Sequence, residues 1–261
     1  MSAGPAKKTR SVSSRDQVLS AIRGALGREG ADGQNRPDLM ARLDNPVPNR
    51  VPDRGRLDGP ARIDLFQAEA ERVSADVARV AGLDAVPGAI AAYLGENGLP
   101  TALKVTPDAA IGDVPWAQQA ALSVEFGATD GSDPVGVTGA YLGVAETGTV
   151  VLLSGETRPN SLNYLPDTHV VVIRADQIIG AYEEVWAQLR HDGGGLPRIV
   201  NWITGPSRSA DIEQTLMLGA HGPRNLFIVI VGADDGKGIV MADDGTIVTA
   251  DEGTRVGDAH G

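Results

Sequence analysis

Thr168-His169-Val170-Val171-Val172-Ile173 places four consecutive aliphatic residues after a single histidine, and no polar residue interrupts them. A strand with one wet face alternates polar and apolar side chains; a run of β-branched residues without that alternation reads as a strand covered on both faces. Asn225-Leu226-Phe227-Ile228-Val229-Ile230-Val231 repeats the pattern. Thr101 to Thr106, Val150 to Leu153 and Ile199 to Thr204 supply shorter β-rich runs. Helical periodicity is read over Ile63 to Val80, Gly88 to Leu94, Gln177 to Arg190 and Ser209 to Leu218. Apolar strands separated by helices imply an α/β fold with a mainly parallel sheet flanked by helices. Ligands in such folds sit at the carboxyl ends of the strands.

Upstream of the deciding run lies a glycine-rich segment, Gly136 to Ser154, with glycines at 136, 139, 143 and 148 and a single acid, Glu146. Glycine admits backbone shapes and close approaches that side chains forbid, so Gly139, Gly148 and their neighbours Glu146, Thr147 and Thr149 are candidate ligand-binding residues. Glu146 is also a candidate catalytic acid or base. Downstream, a strand ends in Thr204-Gly205-Pro206-Ser207-Arg208, and the following helix is expected to start at Ser207 or Ser209. Free amides at a helix start beside Arg208 would bind a carboxylate or phosphate. The same geometry is served equally by Ser207 and Ser209 capping the helix while Asp211 complements its dipole. His221, between turns, is a candidate acid, base or ligand, or a C-terminal cap. Arg158, in the polar loop from Gly155 to Pro166, would pair with an anion or remain a solvated charge. His169 itself reads as a satisfied core histidine.

Several chemistries are disfavoured. The net charge of −11 argues against nucleic acid or an anionic membrane surface as a partner. With no cysteine in 261 residues, this chain holds no disulfide, thiolate zinc site or iron-sulfur cluster of its own. No His-Glu-x-x-His, Walker or Gly-x-Gly-x-x-Gly pattern occurs, and no metal site is expected. No long apolar stretch or secretory leader is read, so a cytoplasmic protein without membrane insertion is the expectation. Residues 1–60 form a basic arm, with a short amphipathic helix over 14–27 and a proline-rich linker. Residues 61–231 form the body, and residues 232–261 an acidic tail whose Ile239-Val240-Met241 and Ile247-Val248-Thr249 could pair as a hairpin.

The body resembles the LUD-domain family of lactate-utilisation proteins. The resemblance is carried by Val135 to Ala140 running into Ala145 to Thr149, by Leu165 to Val170, and by Ile203 to Glu213 with Leu218 to Pro223. It implies the fold shared by ribose-5-phosphate isomerase, glucosamine-6-phosphate deaminase and coenzyme A transferases. It further implies an accessory role in oxidation of L-lactate to pyruvate beside two Cys-rich iron-sulfur partner proteins, which would carry the clusters. On that reading Glu146 and Thr147 line a pocket closed by Gly205 to Arg208 and His221, and a small carboxylate binds there. The alternatives are a free-standing enzyme on a small phosphorylated or acyl substrate, and a scaffold whose loops only shape the sheet; pairing of two copies stays open.

Overall fold

The computed structural model describes residues 13–27, 41, 50–212, 215–219, 221–232, 239–241 and 247–249. Residues 1–49 and 50–261 form two separate units. In the first, helix α1 (Ser14–Ala25) is capped by Ser13, whose Oγ accepts from the Asp16 amide at 3.2 Å. Gly27, at φ +61°, stops it. Most of the expected linker before Arg50 lies outside the described residues, and its last part forms a 3-10 turn at Asp53–Arg56.

The second unit opens with α2 (Gly59–Arg72), followed by β1 (Asp76–Val80), α3 (Val86–Glu96), β2 (Ala102–Val105), β3 (Ser123–Phe126) and β4 (Val135–Gly139). Next come β5 (Leu142–Val144), β6 (Thr149–Leu153), β7 (Thr168–Arg174), β8 (Ile178–Ile179), α4 (Tyr182–His191) and β9 (Val200–Ile203). The chain continues through β10 (Arg208–Ile212), β11 (Thr215–Leu218), β12 (Asn225–Val231), β13 (Ile239–Met241) and β14 (Ile247–Thr249).

Six strands form the main sheet in the order β1-β12-β7-β4-β2-β3, every neighbouring pair parallel. The expected α/β class, a mainly parallel sheet flanked by helices, is therefore what the chain adopts. Alternate residues of β7 and β12 enter two different cores, which is why neither run alternates in sequence. Val170, Val172, Phe227 and Val229 pack on Ile90, Tyr93 and Leu94 of α3. Val171, Ile173, Leu226, Ile228 and Ile230 pack on Phe66 and Ala70 of α2 and on Val150 and Leu152 of β6. A second sheet, β8-β5-β6-β9, thus covers part of the main sheet, and Leu142, Val144 and Val151 on its far face bury Val185 and Leu189 of α4.

Three expectations need correction. The periodic segment from Ile63 to Val80 is not one helix, because the chain turns at Ser74, φ +70°. There the Ala75 amide reaches Ala70 O and the Ser74 amide reaches Glu71 O, a C-terminal closure usually marked by glycine. The residues beyond it become edge strand β1. The Gln177 to Arg190 segment begins with the short strand β8 before α4 starts.

The segment from Ser209 to Leu218 is the antiparallel pair β10–β11 rather than a helix. Its ends explain why: the Ser207 amide bonds Pro223 O and the Gly219 amide bonds Ser207 O, so the chain must leave and return to one point. A ten-residue helix would separate its ends by about 15 Å. In the tail, β13 and β14 pair antiparallel from Ile239 opposite Thr249 to Met241 opposite Ile247. Among the described residues no helix is long and apolar enough to cross a membrane.

Gly148 shows how tightly α2 seats on this framework. Its φ is +63°, and a Cβ placed on it would lie 2.1 Å from the Ala70 amide nitrogen. Gly148→Ala should lower stability by at least about 2 kcal/mol, read as a fall in Tm and in the midpoint of urea unfolding.

Candidate functional site: a cleft between the two sheets

Where the second sheet pulls away from the main one, a cleft of about 230 Å³ opens. Its floor is His169 of β7 and Leu226 of β12, each the second residue of its strand. One wall is β9 and the turn after it, with Trp202, Thr204, Gly205 and Ser207; the rim is His221 to Pro223. Asn163 and Tyr164 close the remaining side. The cleft therefore sits by the amino-terminal ends of β7 and β12, not at the carboxyl ends where such folds usually bind ligands.

The carboxyl-end crevice does exist, between β2 and β4, where the strand order changes direction. It is filled: Thr106 Oγ1 donates to Thr157 O at 2.8 Å, and Arg158 Nε stands 3.8 Å from Asp108 Oδ2. What remains beside Thr138, Gly139, Arg158 and Asn163 is about 10 Å³, room for about one water molecule. Asn163 lines both spaces, so they adjoin.

His169 is 1% exposed and sits on the face of β7 that bears Val171 and Ile173. Its Nε2 is 2.8 Å from Thr138 Oγ1 of β4, and its Nδ1 has no partner. Burial pushes its pKa down to about 3, so the ring is neutral at physiological pH. Around it the polar wall is neutral too. Tyr164 donates its hydroxyl to Asn201 Oδ1 at 2.6 Å, and Asn201 Nδ2 donates to Asn160 Oδ1 at 2.6 Å. Among the described lining residues there is no Lys, Arg, Asp or Glu, and no group of three or more His, Asp or Glu is placed to hold a metal ion.

A family profile described as LUD domain matches residues 63–231, the span that builds both sheets and the cleft. The chain belongs to the LUD-domain family. Curated relatives include the Lactate utilization protein C of Geobacillus sp. (strain WCH70), 37% identical over 100 residues that make up 37% of this chain and 42% of that protein. The protein of the same name from Halalkalibacterium halodurans is 40% identical over 37% of this chain and 44% of its own length. The matched stretch thus spans less than half of either relative. Among solved structures, a DUF162 family protein from Deinococcus radiodurans covers 67% of this chain and all of its own, with 25% identity and a TM-score of 0.50.

The LUD domain brings some of the sequence-predicted site residues together and separates others. Thr204, Gly205, Ser207 and His221 line the larger cleft, while Gly139 and Arg158 line the small adjoining space. Gly205, at φ +78°, lies where a Cβ would come within 2.4 Å of Val73 O.

Glu146 lies at the start of α4, where its Oε1 accepts from the Tyr182 amide at 3.3 Å. A carboxylate there complements the helix dipole, a structural duty that the sequence did not suggest. Thr147 and Thr149 join a hydroxyl chain with the Tyr182 phenol, at 2.7 to 2.9 Å, and Thr149 reaches Thr204 at 2.7 Å. That chain, together with the pairing of β6 with β9, ties the Glu146 segment to the cleft wall. Gly148 faces α2 instead.

Arg208 spends its Nη2 donor on Val73 O at 2.5 Å. With β10 in place of the expected helix, there are no free helix amides beside it and no helix dipole for Asp211, a β10 residue, to complement. Nor does Ser207 cap a helix, and His221 cannot close one. His169, read from sequence as a satisfied core histidine, is buried but keeps one ring nitrogen without a partner, and Thr138, Asn163 and Tyr164 were not singled out. The signal was a lone histidine inside an otherwise aliphatic buried run.

Since the native state holds His169 neutral and the unfolded chain titrates near 6.5, the unfolded state binds more protons between pH 6.5 and about 3. Stability is fully present above pH 6.5 and falls as pH drops through that window, with a slope from this group of up to about 1.4 kcal/mol per pH unit. Urea unfolding from pH 7 to 4 should show this slope, and His169→Phe should flatten it.

Proposed function

We propose that this LUD-domain chain works in lactate utilisation, as the cluster-free component of an iron-sulfur system that oxidises L-lactate to pyruvate. The observation that carries the reading is the family match together with relatives named Lactate utilization protein C. The composition is consistent with it: without a thiolate, the chain carries no cysteine-bound cluster of its own, and Cys-rich partner proteins supply the electron transfer. Two such partners hold the clusters, and the assembly works in the cytoplasm.

The geometry supports a small carboxylate as the ligand. A cleft of about 230 Å³ is below the roughly 300–1,000 Å³ typical of drug-sized ligands. Lactate or pyruvate, with six heavy atoms, is of the right order. Thr204, Ser207 and His221 border that ligand, and the Gly205 backbone approaches it closely. A phosphorylated substrate for a free-standing enzyme fits less well, because the described lining offers no Lys or Arg to hold a dianion.

Deletion of the coding gene should abolish or strongly slow growth on L-lactate as sole carbon source while leaving growth on glucose intact. Tagged chain should co-purify with two Cys-rich proteins absorbing near 400 nm. Normal growth of the deletion strain on lactate, with no such partners recovered, would sink the proposal.

A further inference from the structure

We infer that His169, backed by Thr138, is the group in the cleft that reads the ligand, presenting a neutral N–H donor from Nδ1 to an oxygen of a small 2-hydroxy or 2-oxo carboxylate. The inference rests on the reading of the cleft as a small-carboxylate site, and it names the recognising atom.

His169 is more polar than its position requires. On the same face of the sheet stand Val171, Ile173, Leu226 and Ile228, all buried. An apolar side chain in place of His169 would extend that core. A histidine leaves one ring nitrogen buried and unpartnered, at a desolvation cost of about 1–3 kcal/mol. Buried polar atoms without partners are rare in folded proteins and concentrate where they serve something other than stability. This one belongs to a ring that lines a cleft, so a ligand can supply the missing partner.

The tautomer follows from where an unsatisfied donor can be met. Among the described residues Thr138 Oγ1 has His169 as its hydrogen-bond partner, and the two atoms share a single proton between them. If Nε2 held the proton, the threonine hydroxyl would have to turn to the small adjoining space, where room for about one water is its alternative acceptor. If Thr138 donates to Nε2, the ring proton moves to Nδ1, the buried and unpartnered nitrogen of a ring that borders the cleft. Thr138 is thus a positioning residue, fixing which nitrogen carries the proton, as second-layer groups do for functional histidines.

A neutral donor suits this class of ligand. The depressed pKa keeps the ring uncharged, so recognition should not depend on protonating it between pH 6 and 8. The Ser207 and Thr204 hydroxyls and the Asn163 amide, which also border the cleft, are uncharged, and His221 stands at its rim. A monoanion with one carboxylate and an adjacent oxygen can be satisfied by several neutral donors; a phosphate dianion calls for cations.

The test uses the full chain with ¹⁵N-labelled histidine. The free protein should show His169 as the neutral Nδ1–H tautomer, and L-lactate or pyruvate, added to about 10 mM against a Kd of about 1 mM, should shift its Nδ1 resonance. Inorganic phosphate should leave it unmoved. His169→Phe should weaken binding at least tenfold by calorimetry, and Thr138→Val should weaken it several-fold while mixing the two tautomers in the spectrum. Should His169→Phe not fold, the wild-type titration decides by itself. An unmoved His169 resonance with both carboxylates, a response to phosphate alone, or carboxylate binding unchanged in both variants would overturn the inference. Failure here with lactate growth still dependent on the chain leaves the functional proposal standing; carboxylate binding at His169 in a chain dispensable for lactate growth leaves the site and removes the pathway.

Discussion

Two-sided burial of β7 and β12 is the constraint on which the rest of the molecule depends. Each Val, Leu, Ile or Phe taken out of water contributes roughly 1.5–3 kcal/mol, and Val170 to Ile173 with Leu226 to Val231 are all buried. Such strands are stable only with a layer on each side. One layer is α3 together with Ile111, Val114 and Trp116 from the segment between β2 and β3; the other is built from α2 and the small second sheet. The cleft exists because those two coverings do not reach the amino-terminal ends of β7 and β12.

That arrangement changes what the glycines are for. Gly148 and Gly205 look in sequence like places where a ligand meets the main chain. In the fold, each first admits another part of the protein, Gly148 the backbone of α2 and Gly205 the carbonyl of Val73. The described lining of the site that results carries no Lys, Arg, Asp or Glu. Its polar groups come from strands and turns far apart in sequence: Thr138 and His169 are 31 residues apart, and Tyr164 and Asn201 are 37 apart.

Legibility differed by element for physical reasons. β7 and β12 were plain because burial on both faces removes all polar alternation. β1 was hidden because its helix ends on Ser74 rather than on a glycine, leaving no punctuation between Ile63 and Val80. The β10–β11 pair was hidden for another reason. Local preference amounts to at most about 0.7 kcal/mol per ordinary residue, and the hydrogen bonds tying Ser207 to Pro223 and Gly219 impose a return path that no helix can follow. Glu146 stood out as the acid of a glycine-rich stretch, yet nothing near it in sequence announced the α4 amide it meets.

Composition and apolar patterning, taken alone, settle that this chain is an α/β protein with a parallel sheet and that it holds no cysteine-bound metal or cluster. Those properties are local or additive: side-chain chemistry and strand burial do not depend on knowing which distant residue lies opposite. Tertiary packing decides that His169, one residue in an aliphatic run, keeps a buried nitrogen free at the floor of a cleft, and that Glu146 and Arg208 are occupied elsewhere. Partnership across tens of residues is set by how sheets and helices stack, and the order of residues along the chain does not display it.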